Sequence, residues 1–188
     1  MTIDSLDTEI PGYYMNAAIA GLKASKLPQI PLTESSLTGI KAVKGSQDRY
    51  SETQLKIMSA GGLWIMYQDS ASGPVLVRQQ LTTDMTSVNT REDSITQAVD
   101  FAAKTFRRTI RNLIGRVNIT TSVLEAVNLI VDSVIRFLTN PGLGGGGVLK
   151  NITVLSLSQS ADEPDTIEMD AEVEAHKPFN KMKIRFII

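Results

Sequence analysis

Apolar residues recur at three- and four-residue steps in two stretches in the middle of the chain. Ile95, Val99, Ala102, Phe106, Ile110 and Leu113 share one face of a helix predicted from Arg91 to Ile114 and stopped by Gly115. Val123, Val127, Ile130, Val134 and Leu138 do the same for a second helix from about Thr120 to Leu138. Thr121 or Ser122 is its expected cap, and Asn140, Pro141 and Gly142 end it. Upstream, Pro11 opens an Ala-rich helix over GYYMNAAIAGLKAS, and Ser51 caps a short helix over SETQLKIMSA that Gly61 and Gly62 end. Between them, KLPQIPLTESSLTGIKAVKG carries two prolines and reads as an extended connection.

Other stretches follow a two-residue period. LWIMYQD and PVLVRQQL flank the turn residues Ser70, Ala71, Ser72 and Gly73 as a β-hairpin. NITVLSLS and TIEMDAEVEA flank the acidic turn QSADEPD, and the last segment, KPFNKMKIRFII, alternates Met182, Ile184 and Phe186 with Lys183 and Arg185. Helices and strands are segregated along the chain, which predicts an α+β domain of two long helices packed on a mixed or antiparallel sheet. An extended terminal strand is left over for pairing between subunits. The chain reads as one domain, with a short segment at 1–10, helices and hairpin at 11–140, a Gly-rich linker at 141–148, and strands at 149–188 that include an arm at 182–188.

The last two strands are complementary in charge. Glu168, Asp170, Glu172 and Glu174 line one face of the first, and Lys181, Lys183 and Arg185 alternate with apolar residues in the second. With Glu174 opposite Lys181, an antiparallel register also sets Glu172 opposite Lys183 and Asp170 opposite Arg185. Each such pair contributes roughly 0.2 to 1 kcal/mol, and a one-residue slip would reverse the faces. Two arrangements satisfy the pattern: a hairpin through HKPFN within one chain, or a strand made of Met182, Lys183, Ile184, Arg185, Phe186, Ile187 and Ile188 crossing to a neighbour.

Composition narrows the function classes. The 188 residues are 42% hydrophobic and 21% charged, which suits a globular domain. Nineteen basic against twenty acidic side chains leave a net charge of −1, so no overall field favours nucleic acid or an anionic membrane. The absence of cysteine excludes disulfides, thiol catalysis and thiolate metal sites, and is compatible with folding in a reducing cytoplasm. The start, MTIDSLDTEIPGYY, lacks the apolar core of a secretory signal, and no run reaches the ~20 apolar residues of a membrane span. Lys104, Arg107, Arg108 and Arg111 form a basic stripe on the first long helix, read either as a solvated face or as a docking surface for an acidic partner.

No pattern of catalytic chemistry emerges. Gly142, Gly144, Gly145, Gly146 and Gly147 follow a helix and precede a strand, the reverse of a phosphate-binding loop, and read as a linker, with a small enzyme or ligand-binding domain that uses this loop as the lesser alternative. His176 is the single histidine and reads as a surface residue. Asp162, Glu163 and Asp165 lack the spacing and central Gly of a calcium loop. Asn118-Ile119-Thr120 and Asn151-Ile152-Thr153 match the glycosylation pattern but are expected to stay unmodified without a secretory signal. The expectation is a protein that is not an enzyme, with no cofactor and no metal.

In order, PGYYMNAAIAGLKAS, PQIPLT, SETQLKIMSAGGLWIMYQD, VRQQLTTD and REDSITQAVDFAAKTFRRTIRNLIGR resemble the C-terminal region of contractile phage tail sheath proteins. The resemblance implies a structural protein of the virion tail, assembled in the host cytoplasm as stacked hexameric rings around a tail tube, that contracts to drive the tube through a host envelope. The implied partners are further copies of itself and the tube protein, with the baseplate and tail terminator at the ends. It further implies that 182–188 act as a C-terminal arm adding a strand to a neighbour, and that the basic stripe lies in the core region facing the tube. Sheaths of this family are usually much longer, and residues 1–10 are too few for their N-terminal arm and outward domains. The expectation is therefore a fragment, a processed or split product, or a minimal sheath that receives its N-terminal strand from another chain.

Overall fold

Pro11, Gly12 and Tyr13 wind a turn whose carbonyls accept from the amides of Tyr14, Met15 and Asn16 at 3.0–3.2 Å, and helix α1 (Tyr14–Ala24) grows from it. The computed structural model describes residues 2–3, 11–43, 50–70, 72–142, 147–180, 182 and 185. The chain divides into two compact units, Met1–Ser94 with Lys177–Ile188, and Ile95–His176. Among the described residues the strands form two-stranded antiparallel sheets, which with the helices make an α+β protein.

In the first unit α1 lays Met15, Ala18 and Leu22, one face of the helix, against a core of Leu37, Ile40 and Val75. The expected connection is indeed extended. Its residues 34–37 run beside the hairpin, with Glu34 N donating to Val77 O (2.7 Å), Leu37 N to Val75 O (2.9 Å) and Val77 N to Ser35 O (3.0 Å). Strand β2 (Ile40–Ala42) pairs with β1 (Thr2–Ile3). Helix α2 (Glu52–Ala60) has the predicted Ser51 cap, completed as a capping box by Gln54. It ends at Gly61 and Gly62, and Gly62 has φ +78°, where an added Cβ would lie 2.6 Å from Thr82 O. The hairpin is present but short, β3 (Met66–Tyr67) against β4 (Leu76–Val77), with Met66 opposite Val77.

Polar side chains close this unit. Buried Gln68 accepts from Val43 N (3.1 Å) and donates to Lys41 O (3.0 Å) and Gly73 O (2.8 Å). Gln80, also buried, accepts from Leu32 N (2.8 Å) and donates to Asp93 (2.6 Å). Such groups satisfy backbone atoms that no strand or helix reaches.

The first long helix departs from its sequence-based bounds. A one-turn helix α3 (Val88–Arg91), capped by Ser87, precedes α4 (Asp93–Ile110), and the break falls at Glu92, which has extended geometry with ψ 112°. Glu92 is buried, bridges to Leu81 and accepts from Gln79 (3.3 Å), so its tertiary bonds outweigh the helical register. At the other end α4 stops at Ile110, and turns continue to Arg116 through Gly115 at φ +72°.

The second unit stacks α4 and α5 (Thr121–Thr139) on a ribbon of β5 (Leu149–Gln159) and β6 (Ile167–Ala175). Its core joins Ala98 and Ala102, Val134 and Leu138, and Val148, Leu149 and Ile152. Val99, expected in the core, is exposed, and Ala98 takes its place because a methyl side chain lets the helix approach closely. Helix α5 is capped by Thr120, one residue before the expected cap, and buries Val127, Val131, Val134 and Leu138.

Candidate inter-subunit surface

Strand β6 sorts its residues as its alternation predicts except at Val173, which is exposed. Ile167, Met169, Ala171 and Ala175 are half-buried, and Glu168, Asp170, Glu172 and Glu174 are exposed. Across the ribbon these acids face Ser158, Ser156, Thr153 and Asn151 of β5. Ser156 Oγ donates to Asp170 (3.0 Å) and Lys150 Nζ to Glu174, while among the described residues Glu168 and Glu172 form no ion pair. Among the described residues β6 pairs with β5 alone.

The expected partner strand on the other side of β6 falls largely outside the described residues. Lys181, Lys183, Ile184, Phe186, Ile187 and Ile188, and with them the Glu174–Lys181 register, are not among them. Met182 and Arg185 are described, are exposed and belong to no strand. The preceding HKPFN segment is irregular, and Thr33 Oγ1 donates to the Asn180 side chain at 3.1 Å within the first unit.

Lys104, Arg107 and Arg108 on α4 and Arg111 just beyond its end are all exposed, at the three- and four-residue steps of one helical face. Next to this stripe is a feature that hydrophobic patterning did not reveal. Leu113 and Ile114, expected inside the helix, instead line an apolar groove of about 350 Å³. Ile110, Val117, Ile119, Val123 and Val127 form its helical side, and Leu157, Ile167 and Met169 form its ribbon side, with Asp165 at the edge. Ile114 is 71% exposed and Val117 45%, an apolar surface of the kind that marks interaction sites. The signal in the sequence was an apolar run, LIGRV, continuing past the helix around a glycine.

Some charged groups of the first unit help to hold it together. Arg78 grips the Glu52 carboxylate through two bonds (2.6 and 3.1 Å), which holds Glu52 below its ordinary pKa. Tyr67 donates to Glu34 (2.6 Å), and burial first, then that bond, pushes its phenol up. Among the described residues no group of three or more His, Cys, Asp or Glu is arranged to hold a metal, and His176 is exposed just past β6. Of the glycine run, residues 143–146 lie outside the described residues, and Gly147 packs against Pro141 at φ +61°. No described helix is long and apolar enough to cross a membrane.

A tail sheath protein of Mycobacterium phage Bxz1 is 26% identical over 179 residues, which cover 94% of this chain and 29% of that relative. The chain is related to contractile tail sheath proteins. No protein-family model matches it. Solved structures extend the likeness to the fold. The anti-feeding prophage baseplate structure aligns over 100% of this sheath-related chain and 52% of its own, with TM-score 0.77 and 15% identity. The contracted helical sheath of the anti-feeding prophage aligns over 92% and 49%, with TM-score 0.70 and 14% identity. A sheath tail protein from Desulfitobacterium hafniense aligns over 94% and 43%, with TM-score 0.62 and 14% identity. The chain thus spans 29% of the length of the curated relative and about half of the solved chains.

Proposed function

We propose that this chain is a structural subunit of a contractile tail sheath, built into stacked hexameric rings around a tail tube. Contraction of the stack drives the tube through the host envelope. The observation that carries this reading is the row of alternating acids along β6, whose edge away from β5 pairs with no described residue, in a fold shared with sheath structures. Residues 182–188 of a neighbouring copy add to that edge, Lys183 against Glu172 and Arg185 against Asp170, so that each subunit is tied to the next by main-chain bonds and selected by charge. The exposed Lys104, Arg107, Arg108 and Arg111 face the tube. Work is done by the free-energy difference between two packings of one polymer while the strand tether persists.

Negative-stain electron microscopy of the intact protein and of a version lacking residues 182–188 tests this. Rings or tubes from the intact protein alone support strand exchange. Equal assembly by both would overturn it.

A baseplate component is the second reading, favoured by the alignment of the whole chain with the baseplate structure. It differs in forming a single closed ring, which the same images separate from a stack.

A further inference from the structure

We infer that a cleft within the first unit is a binding site for a phosphate monoester, a small organic group carrying one phosphate. The cleft has a volume of about 600 Å³. Lys56 and Ser59 of α2, Arg78 just beyond β4 and Arg91 at the end of α3 line it, with Ala60 and Met85 as an apolar wall. Three elements thus bring three cations to one cavity. Two carboxylates lie within ion-pair distance of them, and they leave donors over. Arg78 spends part of its N–H fork on Glu52 (2.6 and 3.1 Å), and Arg91 spends one N–H, through Nε, on Glu92 (3.4 Å). Lys56 Nζ is 3.8 Å from Glu52, beyond hydrogen-bond reach. Nor does the backbone claim these cations, because the carbonyls that end α2 already accept from the amides of Gly61, Gly62 and Leu63.

A second observation points to the same place. Ser59 Oγ is shielded from solvent and has no hydrogen-bond partner among the described residues. Buried polar atoms are rarely left so, and an orphan in the wall of a cleft is the mark of a group whose partner is a ligand. Rotation about the Ser59 Cα–Cβ bond brings the hydroxyl to an oxygen of the bound phosphate. Shape favours phosphate over carboxylate. Donors arrive from three elements, and a phosphate monoester has three terminal oxygens to divide among them where a carboxylate has two. Size favours an ester over the free ion. A cleft of about 600 Å³ is in the range of small-molecule sites, and the wall of Ala60 and Met85 offers the organic group an apolar surface.

Isothermal titration calorimetry of the intact chain with phenyl phosphate, at neutral pH and fixed ionic strength, tests the site, and benzoate serves as the carboxylate counterpart. Saturable binding at one site is the expected result, about tenfold weaker in Lys56→Gln and in Arg91→Gln, and weaker also in Ser59→Ala. Lys104→Gln removes an exposed cation that does not line the cleft and is expected to bind as the parent does. The Lys56 side chain is 70% exposed, so its replacement leaves the core intact and its variant decides the question even where another fails to fold. Arg78 is left in place because it holds Glu52. No saturable binding of phenyl phosphate overturns the site. So does undiminished binding by Lys56→Gln, or a loss in Lys104→Gln equal to that in Lys56→Gln, which is the sign of diffuse attraction. Benzoate bound as tightly as phenyl phosphate overturns phosphate as the ligand class.

Discussion

The Asp93 carboxylate lies 2.7 Å from the Lys23 ammonium, joining the first residue of α4 to the last turn of α1. The same carboxylate accepts from Gln80 (2.6 Å), whose carbonyl oxygen holds Leu32 N, so three segments of the first unit meet at one partly buried group. As the first residue of α4 it also complements the helix dipole. Replacing Asp93 by Ala is expected to lower the unfolding free energy by about 1 to 3 kcal/mol, because Gln80 loses its acceptor while buried. Lys23→Met, which leaves Gln80 satisfied, costs less. Urea denaturation of the two variants checks the order.

Thr120 is the cap of α5, its hydroxyl accepting from Val123 N at 3.3 Å. Thr120→Ala is expected to cost about 1 kcal/mol, and Thr120→Gly only a few tenths. Thr121→Ala, at one of the two positions patterning offered, is expected within about 0.5 kcal/mol of the parent. Thermal unfolding followed by circular dichroism measures all three, and equal losses at 120 and 121 would contradict the observed cap.

Glu52 carries a pH signature. Its hydrogen bonds from Arg78 lower its pKa in the folded state relative to the unfolded chain. Its stabilising contribution is therefore present above the unfolded-state pKa and is lost as pH falls through the lower, folded-state value. The parent is expected to exceed Glu52→Gln in stability at neutral pH, and the two to converge in acid. A gap that widens on acidification would give the wrong sign. The effect is small, since Glu52 is open to solvent.

Local order along the chain determined the elements. Period-three-and-four apolar spacing placed α4 and α5, Ser51 placed the start of α2, and alternation from Glu168 to Ala175 placed β6 and its acidic face. These signals are legible because each depends on residues within a turn or a pleat of one another. The break at Glu92 was not, because it is made by Leu81 and Gln79, distant in sequence. Nor was the choice of Ala98 over Val99 as a core residue, since which side of a helix touches a neighbour depends on the shape of that neighbour. The groove is the clearest case. Leu113 and Ile114 fit a helical pattern, but Gly115 turns the chain at φ +72°, and the apolar side chains released from the helix meet Leu157 and Met169 from strands some fifty residues on. Sequence alone placed the alternating acids of β6 on one face, and only the tertiary structure placed an apolar groove beside that strand, because a cavity is the joint product of surfaces that no local rule brings together.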